Sequence, residues 1–234
     1  MGLSVIVLTN KKPVEIKRTL DSVSFADEVI LIPDRKVPLT DFSAARNSGL
    51  SKAKNDWVLF VDDDEVVSQE LAKEIKAMSF PRKRESIQIK TPDGFYIRRL
   101  DKYHGQVLHH GETGNTKIIR LGKKSAGRFF RPVHEVWKIN GLVGALKNAL
   151  IHERGELVAP FMDRMIRYSP LDAGQLTREN KPFTYWRLIL NPKAKFILNY
   201  FLKFGFLDGY LGLFQAYLMS VQSLTVRVFQ WQKS

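Results

Sequence analysis

The chain contains no cysteine, which excludes disulfides, thiolate metal sites and a cysteine nucleophile. A chain of this kind fits a reducing compartment, so we expect a cytoplasmic protein. No stretch of eighteen apolar residues is uninterrupted, and a membrane-spanning helix is therefore not expected. The segment Met1–Thr9 lacks the basic region and the small-residue cleavage site of a signal peptide, and we expect it to form the first strand of the fold.

Acidic residues are few: 24 Asp and Glu stand against 37 Lys and Arg, a net charge of +13 over 234 residues. Nucleic acid, an anionic membrane surface or an anionic substrate would each explain this excess, and so would solubility alone. The chain has no zinc finger, helix-turn-helix signature or aromatic-interleaved RNA-binding motif. We therefore expect a membrane or phosphate partner and no nucleic acid.

The acids that are present include four in a row, Asp62, Asp63, Asp64 and Glu65, directly after the apolar run Trp57–Val61. The run suits a strand buried on both faces. Clustered carboxylates repel one another unless a cation lies among them, and Mg²⁺ binds one or two carboxylates together with substrate phosphates. The pattern predicts a metal–phosphate site at the end of this strand, with an acidic helix start as the alternative.

Periodicity predicts strands separated by helices in the first third of the chain. Strands are predicted at Leu3–Thr9, Glu28–Ile32 and Trp57–Val61, with helices at Val14–Val23 and Phe42–Lys54 and a third that begins after an N-cap at Ser68 and ends before Pro81. This alternation indicates an α/β fold with a mostly parallel sheet. Shorter strands at Ile87–Lys90, Phe95–Arg99 and Thr116–Leu121 indicate a smaller mixed or antiparallel region.

The last fifty or so residues are crowded with aromatic side chains and Lys or Arg, and Asp208 is the one acid after residue 180. The aromatics are Phe183, Tyr185, Trp186, Phe196, Tyr200, Phe201, Phe204, Phe206, Tyr210, Phe214, Tyr217, Phe229 and Trp231. This composition predicts amphipathic helices at a membrane interface. Packing on the α/β domain or across a dimer is the alternative.

Four motifs occur in a characteristic order, and further pieces follow them. The motifs are Ser4–Asn10, Ala26–Ile32, Asp41-Phe-Ser-Ala-Ala-Arg-Asn47 and Asp56–Glu65; the later pieces are Arg120-Leu121, Val133-His-Glu135, His152 and Tyr200–Gly209. Together they resemble the family 2 glycosyltransferases of the GT-A fold, and in particular the small bacterial branch that includes lipopolysaccharide core β-glucosyltransferases. The chain departs from that pattern in a shorter stretch after Asp34 and in Lys11, where many relatives have an acid.

The resemblance implies a GT-A-like, Rossmann-like catalytic domain over residues 1–155, with a nucleotide-sugar half at 1–80 and an acceptor half at 81–155. Residues 156–234 would form a helical, aromatic-rich extension. It also implies an inverting transferase for cell-envelope glycans, which uses Mg²⁺ or Mn²⁺ and a UDP-sugar donor. The acceptor would be a glycolipid or lipid-linked saccharide at the inner face of the cytoplasmic membrane.

The resemblance further implies roles for individual residues. The nucleotide contacts would be Thr9, Asn10, Asp34, Arg46 and Asp62; the metal ligands Asp62, Asp64 and His134; and the base Glu135 or His134. A guanidinium such as that of Arg46 suits phosphate oxygens. A base must reach the acceptor hydroxyl that it deprotonates.

Two other functions fit parts of the pattern. Asp62 and Asp64 after an apolar strand also match the first motif of haloacid-dehalogenase-type phosphatases, but the second acidic motif of that class is missing. A non-enzymatic basic protein that binds a membrane peripherally would explain the charge and the aromatic tail, and it would leave Asp62–Glu65 without a role.

Overall fold

The structure is a computed structural model that describes residues 2–32, 42–78, 91–131, 135–155 and 157–234. The strands are β1 (Leu3–Leu8), β2 (Glu28–Ile32), β3 (Trp57–Asp62), β4 (Glu65–Val67), β5 (Gly94–Tyr103), β6 (Gln106–Val107), β7 (Thr116–Lys123), β8 (Gly127–Phe130), β9 (Val136–Ile139) and β10 (Val143–Gly155). The helices are α1 (Lys17–Ser22), α2 (Phe42–Lys52), α3 (Gln69–Ala77), α4 (Ala159–Arg178), α5 (Tyr185–Ile197) and α6 (Gly209–Trp231).

The main sheet has the strand order β2-β1-β3-β7-β5-β10-β4, and β6 pairs with β5. The first three strands are parallel, with Leu8 opposite both Ile32 and Asp62. β7 joins β3 in the antiparallel sense, as β4 joins β10. The α/β fold class is confirmed: helices flank a central sheet whose N-terminal strands are parallel, and aromatic-rich helices form the C-terminal part.

Strand β3 is buried on both faces, as its apolar run predicts. Trp57, Leu59 and Val61 point into one core, which α1 and α3 cover, while Val58 and Phe60 point into a second core with residues of α2, β8 and β9. Side chains of a strand alternate between faces, so five consecutive apolar residues supply both cores at once. Both cores therefore hold this strand in the sheet, and they fix the position of its carboxyl end.

Helix α2 packs closely on the sheet at Gly49. A Cβ atom at this position would lie 2.8 Å from Cγ2 of Ile6 on β1, which is too short for a carbon–carbon contact. Glycine thus permits the close approach that brings Arg46, one turn earlier in α2, down to the carboxyl ends of the strands.

Two helices are shorter than predicted. α1 begins at Lys17 rather than Val14, because residues 13–16 form a turn in which the Glu15 carboxylate accepts from the backbone N–H of Lys12. α2 ends at Lys52 rather than Lys54, and the Lys54 N–H donates to Glu28 on β2 instead. The strand predicted at Ile87–Lys90 lies outside the described residues.

Ser68 caps α3 as predicted: its Oγ accepts from the Leu71 N–H at 3.1 Å. We expect Ser68→Ala to lower the free energy of unfolding by about 1 kcal/mol, because this N–H loses its acceptor. Urea denaturation followed by tryptophan fluorescence measures the change. Ser51→Ala is the matched control, since the Ser51 hydroxyl donates to its own helix and is exposed. An equal loss in both variants would contradict the capping role.

The chain separates into two compact units. One comprises residues 1–99 and 117–153, and the other comprises residues 100–116 and 154–234. The second contains α4, α5 and α6, a π-helical turn at Leu198–Leu202 and a 3-10 turn at Gly205–Asp208. Within the described ranges, no helix has both the length and the apolarity needed to cross a bilayer. The domain boundary expected at residue 155 stays a prediction.

Candidate active site

Polar residues gather where β1 and β3 end. Thr9 follows β1, and Asp62 is the last residue of β3; because the two strands are parallel and Leu8 lies opposite Asp62, the residues that follow them share one edge of the sheet. Ligands of open α/β sheets bind at such edges. Asn10 follows Thr9 at this edge and is partly buried. Asp34 lies outside the described residues.

Asp62 is bound by two buried arginines. Nη2 of Arg46 donates to its Oδ1 at 2.8 Å, and Nη2 of Arg120 donates to its Oδ2 at 2.7 Å. Burial alone would raise the pKa of the Asp62 carboxyl, but the charges of Arg120 and Arg46 outweigh burial and hold the pKa well below its usual value. Asp62 is therefore an anion throughout the physiological pH range.

Arg46 connects Asp62 to Glu135. Its side chain is 3% exposed; it lies against the paired rings of Phe60 and Phe129, with Cζ 5.6 Å from each ring centroid. Its Nε donates to Oε1 of Glu135 at 2.8 Å. A buried guanidinium with two carboxylate partners and two aromatic neighbours is held in one position. It therefore fixes the distance between the two acids that it binds.

Glu65 is the most deeply buried acid of the cluster, with no exposed surface. Its Oε2 accepts from the Asp62 backbone N–H at 3.0 Å, and Nη1 of Arg99 lies 3.8 Å from its Oε1. Burial, followed by the nearby charge of Asp62, raises the pKa of the Glu65 carboxyl. Glu65 stabilises the turn that follows β3, which in turn orients Asp62.

Asp63 connects the acidic segment to the end of β1. Its carboxylate accepts from Oγ1 of Thr9 at 2.8 Å and from Nζ of Lys11 at 3.1 Å, and its carbonyl accepts from the Thr19 hydroxyl at 3.1 Å. Lys11, which stands in place of an acid, is thus the cation that pairs with Asp63. These contacts give Thr9 a supporting position beside the acids.

Asp64 is the most accessible of the four acids, with its side chain 44% exposed. Its Oδ2 lies 3.0 Å from Nε2 of the buried His152, and its carbonyl accepts from the Glu153 N–H at 2.8 Å. His152 comes from β10, where it pairs with Glu65 of β4. His152, which belongs to the later pieces of the sequence motif, therefore contacts the predicted metal ligand Asp64.

Protein side chains thus provide cationic or polar partners to each of the four acids. Arg46, Arg99 and Arg120 face the carboxyl groups of Asp62, Glu65 and Glu135, so three guanidinium groups and three carboxyl groups form one network. Among the described residues, no group of three or more His, Cys, Asp or Glu side chains is placed to hold a metal ion. The predicted ligand His134 lies outside those residues.

The sequence did not reveal what Arg99 and Arg120 do. Arg120 was quoted as part of a motif without a role, and Arg99 was considered only as the end of a strand. One feature of the sequence could have indicated the role of Arg120: it is a charged residue among the apolar residues of Ile118–Leu121. A guanidinium that is buried in such a strand requires an acid as its partner. Only the strand order shows that the acid is Asp62, because β7 pairs with β3.

Comparison with known proteins gives the family. Residues 35–124, which include Arg46, the four acids and Arg120, match the family model described as Glycosyl transferase family 2. Two similar proteins, from Rickettsia typhi and Rickettsia prowazekii, are each described as an uncharacterized glycosyltransferase. They are 25% and 24% identical to this chain over 242 residues, respectively. Each alignment covers 89% of this chain and 80% of the relative. The expected resemblance to family 2 glycosyltransferases is thus confirmed over residues 35–124.

Solved structures with a similar backbone course include residues 1–349 of Staphylococcus aureus TarS in complex with UDP-GlcNAc. This likeness has a TM-score of 0.46 at 16% identity and covers 100% of this chain and 93% of that chain. The same TarS region in complex with UDP has a TM-score of 0.44 at 16% identity, with coverage of 100% and 92%.

The matching family model and the relatives described as glycosyltransferases support a glycosyltransferase enzyme. This assignment takes the place of the phosphatase and of the non-enzymatic membrane-binding protein as functions of the acidic segment.

Proposed function

We propose that this glycosyltransferase is metal-dependent and inverting, and that it moves a sugar from a UDP-sugar to a glycolipid or lipid-linked saccharide in cell-envelope glycan synthesis. The observation that carries the proposal is the position of Asp62. It ends the central strand β3, it is held by Arg46 and Arg120, and Arg46 also holds Glu135. Arg46 thereby holds the donor-side acid Asp62 and the candidate base Glu135 at a fixed distance from each other. A displacement reaction needs its reacting groups in such a fixed arrangement.

The transfer is a substitution at the anomeric carbon. Glu135 takes the proton of the acceptor hydroxyl, whose oxygen forms the new bond to carbon; the bond to the phosphate oxygen breaks, and its electron pair leaves with the nucleoside diphosphate. Attack opposite to the leaving group inverts the configuration. His134 is the alternative base. Arg46 positions both Glu135 and Asp62, because it contacts the two carboxylates directly.

Spare hydrogen-bond donors support a phosphate site beside Asp62. Nη1 of Arg46 and Nε of Arg120 are buried and have no hydrogen-bond partner in the part of the chain that the structure describes. Buried donors without partners are costly, and phosphate oxygens are strong acceptors for guanidinium groups. We assign the donor nucleotide to this edge, where Thr9 and Asn10 follow β1; Asp34 stays a contact that the sequence resemblance implies.

The residues fit a divalent cation with two carboxylate ligands. Asp64 is accessible, and each oxygen of Asp62 accepts one arginine N–H, so lone pairs remain on a carboxylate that has about four such sites. Mg²⁺ is commonly bound by one or two carboxylates and the substrate's phosphates. Asp62, Asp64 and His134 would hold the ion, which supplies Lewis-acid stabilisation to the departing diphosphate.

The second unit of the structure supports the proposed acceptor and the proposed cellular location. The exposed aromatic residues of α5 and α6, together with the exposed Lys193 and the partly exposed Arg187 and Arg227, suit the headgroup region of a membrane, where a lipid-linked acceptor is found. We therefore place the enzyme peripherally on the inner face of the cytoplasmic membrane. The resemblance to lipopolysaccharide core transferases supports a cell-envelope product.

The test is donor binding by calorimetry, with UDP- and GDP-linked sugars in the presence and absence of Mn²⁺. We expect binding to a UDP-sugar that requires Mn²⁺ and falls by more than 10-fold in Asp64→Asn. The expected loss is large because even outer-sphere partners of a metal site contribute about 10–100-fold in affinity.

Asp21→Asn is the matched control, since Asp21 forms an exposed pair with Lys17 within α1. It should bind the donor as the wild type does. Donor binding that is unchanged by Mn²⁺ and by Asp64→Asn would contradict the metal assignment. A folded protein that binds no nucleotide sugar would contradict the donor site itself.

A further inference from the structure

Helix α6 is apolar on two sides. One side is buried in the second unit and includes Gly212, Ala216 and Val226. The other side exposes large apolar residues at steps of three, four and seven, which places them on one face of the helix. This face, here named the α6 stripe, consists of Tyr210, Phe214, Tyr217, Val221, Leu224 and Trp231, which are 40–83% exposed.

The segment before α6 exposes further apolar side chains. Between Phe201 and Tyr210, here named the hairpin loop, Phe201, Leu202, Phe204, Phe206 and Leu207 are 44–67% exposed. The α6 stripe thus begins where an apolar loop ends. Side chains of this size are normally buried, and a contiguous exposed set indicates an interaction site.

Polar contacts on the inner side hold the hairpin loop in shape. Asp208 is 6% exposed; its carboxylate accepts from the backbone N–H groups of His109 and His110 at 3.1 and 2.8 Å and lies 2.9 Å from Nδ1 of His110. His109 and His110 therefore anchor this loop. Phe204 has a φ of 56°, a left-handed conformation that a bulky residue adopts only when its surroundings impose it.

A glycine contact closes the same loop onto α6. A Cβ atom at Gly212 would lie 1.8 Å from the carbonyl oxygen of Gly205, so only glycine allows α6 to pass so close to the loop. The loop is thus ordered by buried contacts while its large apolar side chains face outward. A fixed shape of this kind reduces the entropy lost when a surface binds.

The charges of this region identify the partner. After residue 180 the cations are Lys181, Arg187, Lys193, Lys195, Lys203, Arg227 and Lys233, and the single acid of this segment, Asp208, is buried. Lys195 and Lys203 pair with Glu112, and Lys181 pairs with Glu179. Arg187 and Arg227 pair with no carboxylate in the described ranges. They lie near enough to each other that the charge of Arg187 adds to burial in lowering the pKa of Arg227. Two neighbouring guanidinium groups without an acid suit an anionic surface.

We propose that the α6 stripe and the hairpin loop form the surface by which this protein binds an anionic lipid bilayer, with α6 lying in the interface. Tyrosine and tryptophan favour the headgroup level, and Lys and Arg are attracted to anionic lipid. A second copy of the chain is a poorer partner, because a symmetric contact would bring the same cations face to face.

This inference deepens the proposed lipid-linked acceptor and names the residues that would bring the enzyme to it. Its failure is distinguishable from failure of the donor site, because nucleotide-sugar binding is measured in solution without lipid. A protein that binds its donor and no vesicle would overturn the surface alone.

The experiment is cosedimentation of the full chain with vesicles of phosphatidylcholine containing phosphatidylglycerol, and with vesicles of phosphatidylcholine only. We expect the wild type to bind the anionic vesicles. Leu207→Glu should weaken that binding by about 10-fold or more, since it removes a leucine that would be buried in lipid and adds a repelled charge. Leu142→Glu is the matched control, because Leu142 is 49% exposed in a turn of the other unit; it should bind as the wild type does.

Circular dichroism shows whether Leu207→Glu is folded, and Tyr210→Ser, at an 83% exposed position, replaces it if it is not. Equal binding of wild type and both loop variants would overturn the proposal, as would equal binding to neutral vesicles. Sedimentation equilibrium completes the test: self-association that Leu207→Glu abolishes, without vesicle binding, would assign the surface to a second copy instead.

Discussion

Glu135→Gln is expected to lower turnover by about 10²–10⁴-fold, the usual contribution of a positioned general base. The amide keeps an oxygen that accepts from Nε of Arg46, so the contact at 2.8 Å and the position of the side chain are retained. What is lost is the ability to take a proton from the acceptor hydroxyl. Donor affinity should stay unchanged, because the substitution affects the chemical step. Steady-state kinetics with calorimetry separates the two effects.

Glu70→Gln is the control for this substitution, since Glu70 is an exposed residue of α3; its turnover should equal that of the wild type. His134→Asn tests the alternative base. If turnover survives in Glu135→Gln and falls in His134→Asn, the base is His134, and Glu135 serves as a partner of Arg46.

Arg46→Met is expected to lower the free energy of unfolding by about 3–5 kcal/mol, because removing one member of a buried ion pair leaves its partners charged and unpaired. Asp62 would keep Arg120, whereas Glu135 would keep, among the ion pairs of the described residues, the longer contact of 3.9 Å to Nη1 of Arg120. Methionine preserves the apolar contact with Phe60 and Phe129. Urea denaturation, followed by the fluorescence of the buried Trp57 and Trp137, measures the loss.

The same substitution at the surface is the control. Arg18 pairs with Glu153 at 2.9 Å, but its side chain is 71% exposed, so Arg18→Met should cost about 0–1 kcal/mol. Equal losses at the two positions would contradict the buried network. A double variant, Arg46→Met with Glu135→Gln, should lose less than the sum of the single variants, with a coupling of about 0.5–3 kcal/mol for residues in contact.

Much of the fold follows from local pattern. The run Trp57–Val61 predicts a strand buried on both faces, and the structure places its alternate residues in two cores. The hydroxyl of Ser68 predicts a helix start and forms the cap. These predictions succeed because strand alternation and capping depend on neighbouring residues in the chain. The predicted start of α1 at Val14 was wrong, since residues 13–16 form a turn and the helix begins at Lys17.

The sequence predicted which acids form the candidate site, but it did not predict which cations pair with them. The run Asp62–Glu65 is visible in the sequence because four carboxylates in a row need compensation. The sequence suggested a metal ion for that purpose. The structure shows that Arg46, Arg99, Lys11 and other side chains also compensate the charge, and these residues are distant from the acids along the chain.

The sequence by itself determined the α/β class, the strand that ends in the acidic segment, and the aromatic and basic character of the C-terminal helices. Tertiary structure decided which charges meet: that Arg46 joins Asp62 to Glu135, that Arg120 completes the pair, and that Asp208 anchors a loop rather than facing solvent. The physical reason is the distance along the sequence over which each interaction acts. Secondary structure depends on residues within a few positions of one another. An ion pair depends on which strands and helices become neighbours, and only the tertiary structure establishes those neighbours.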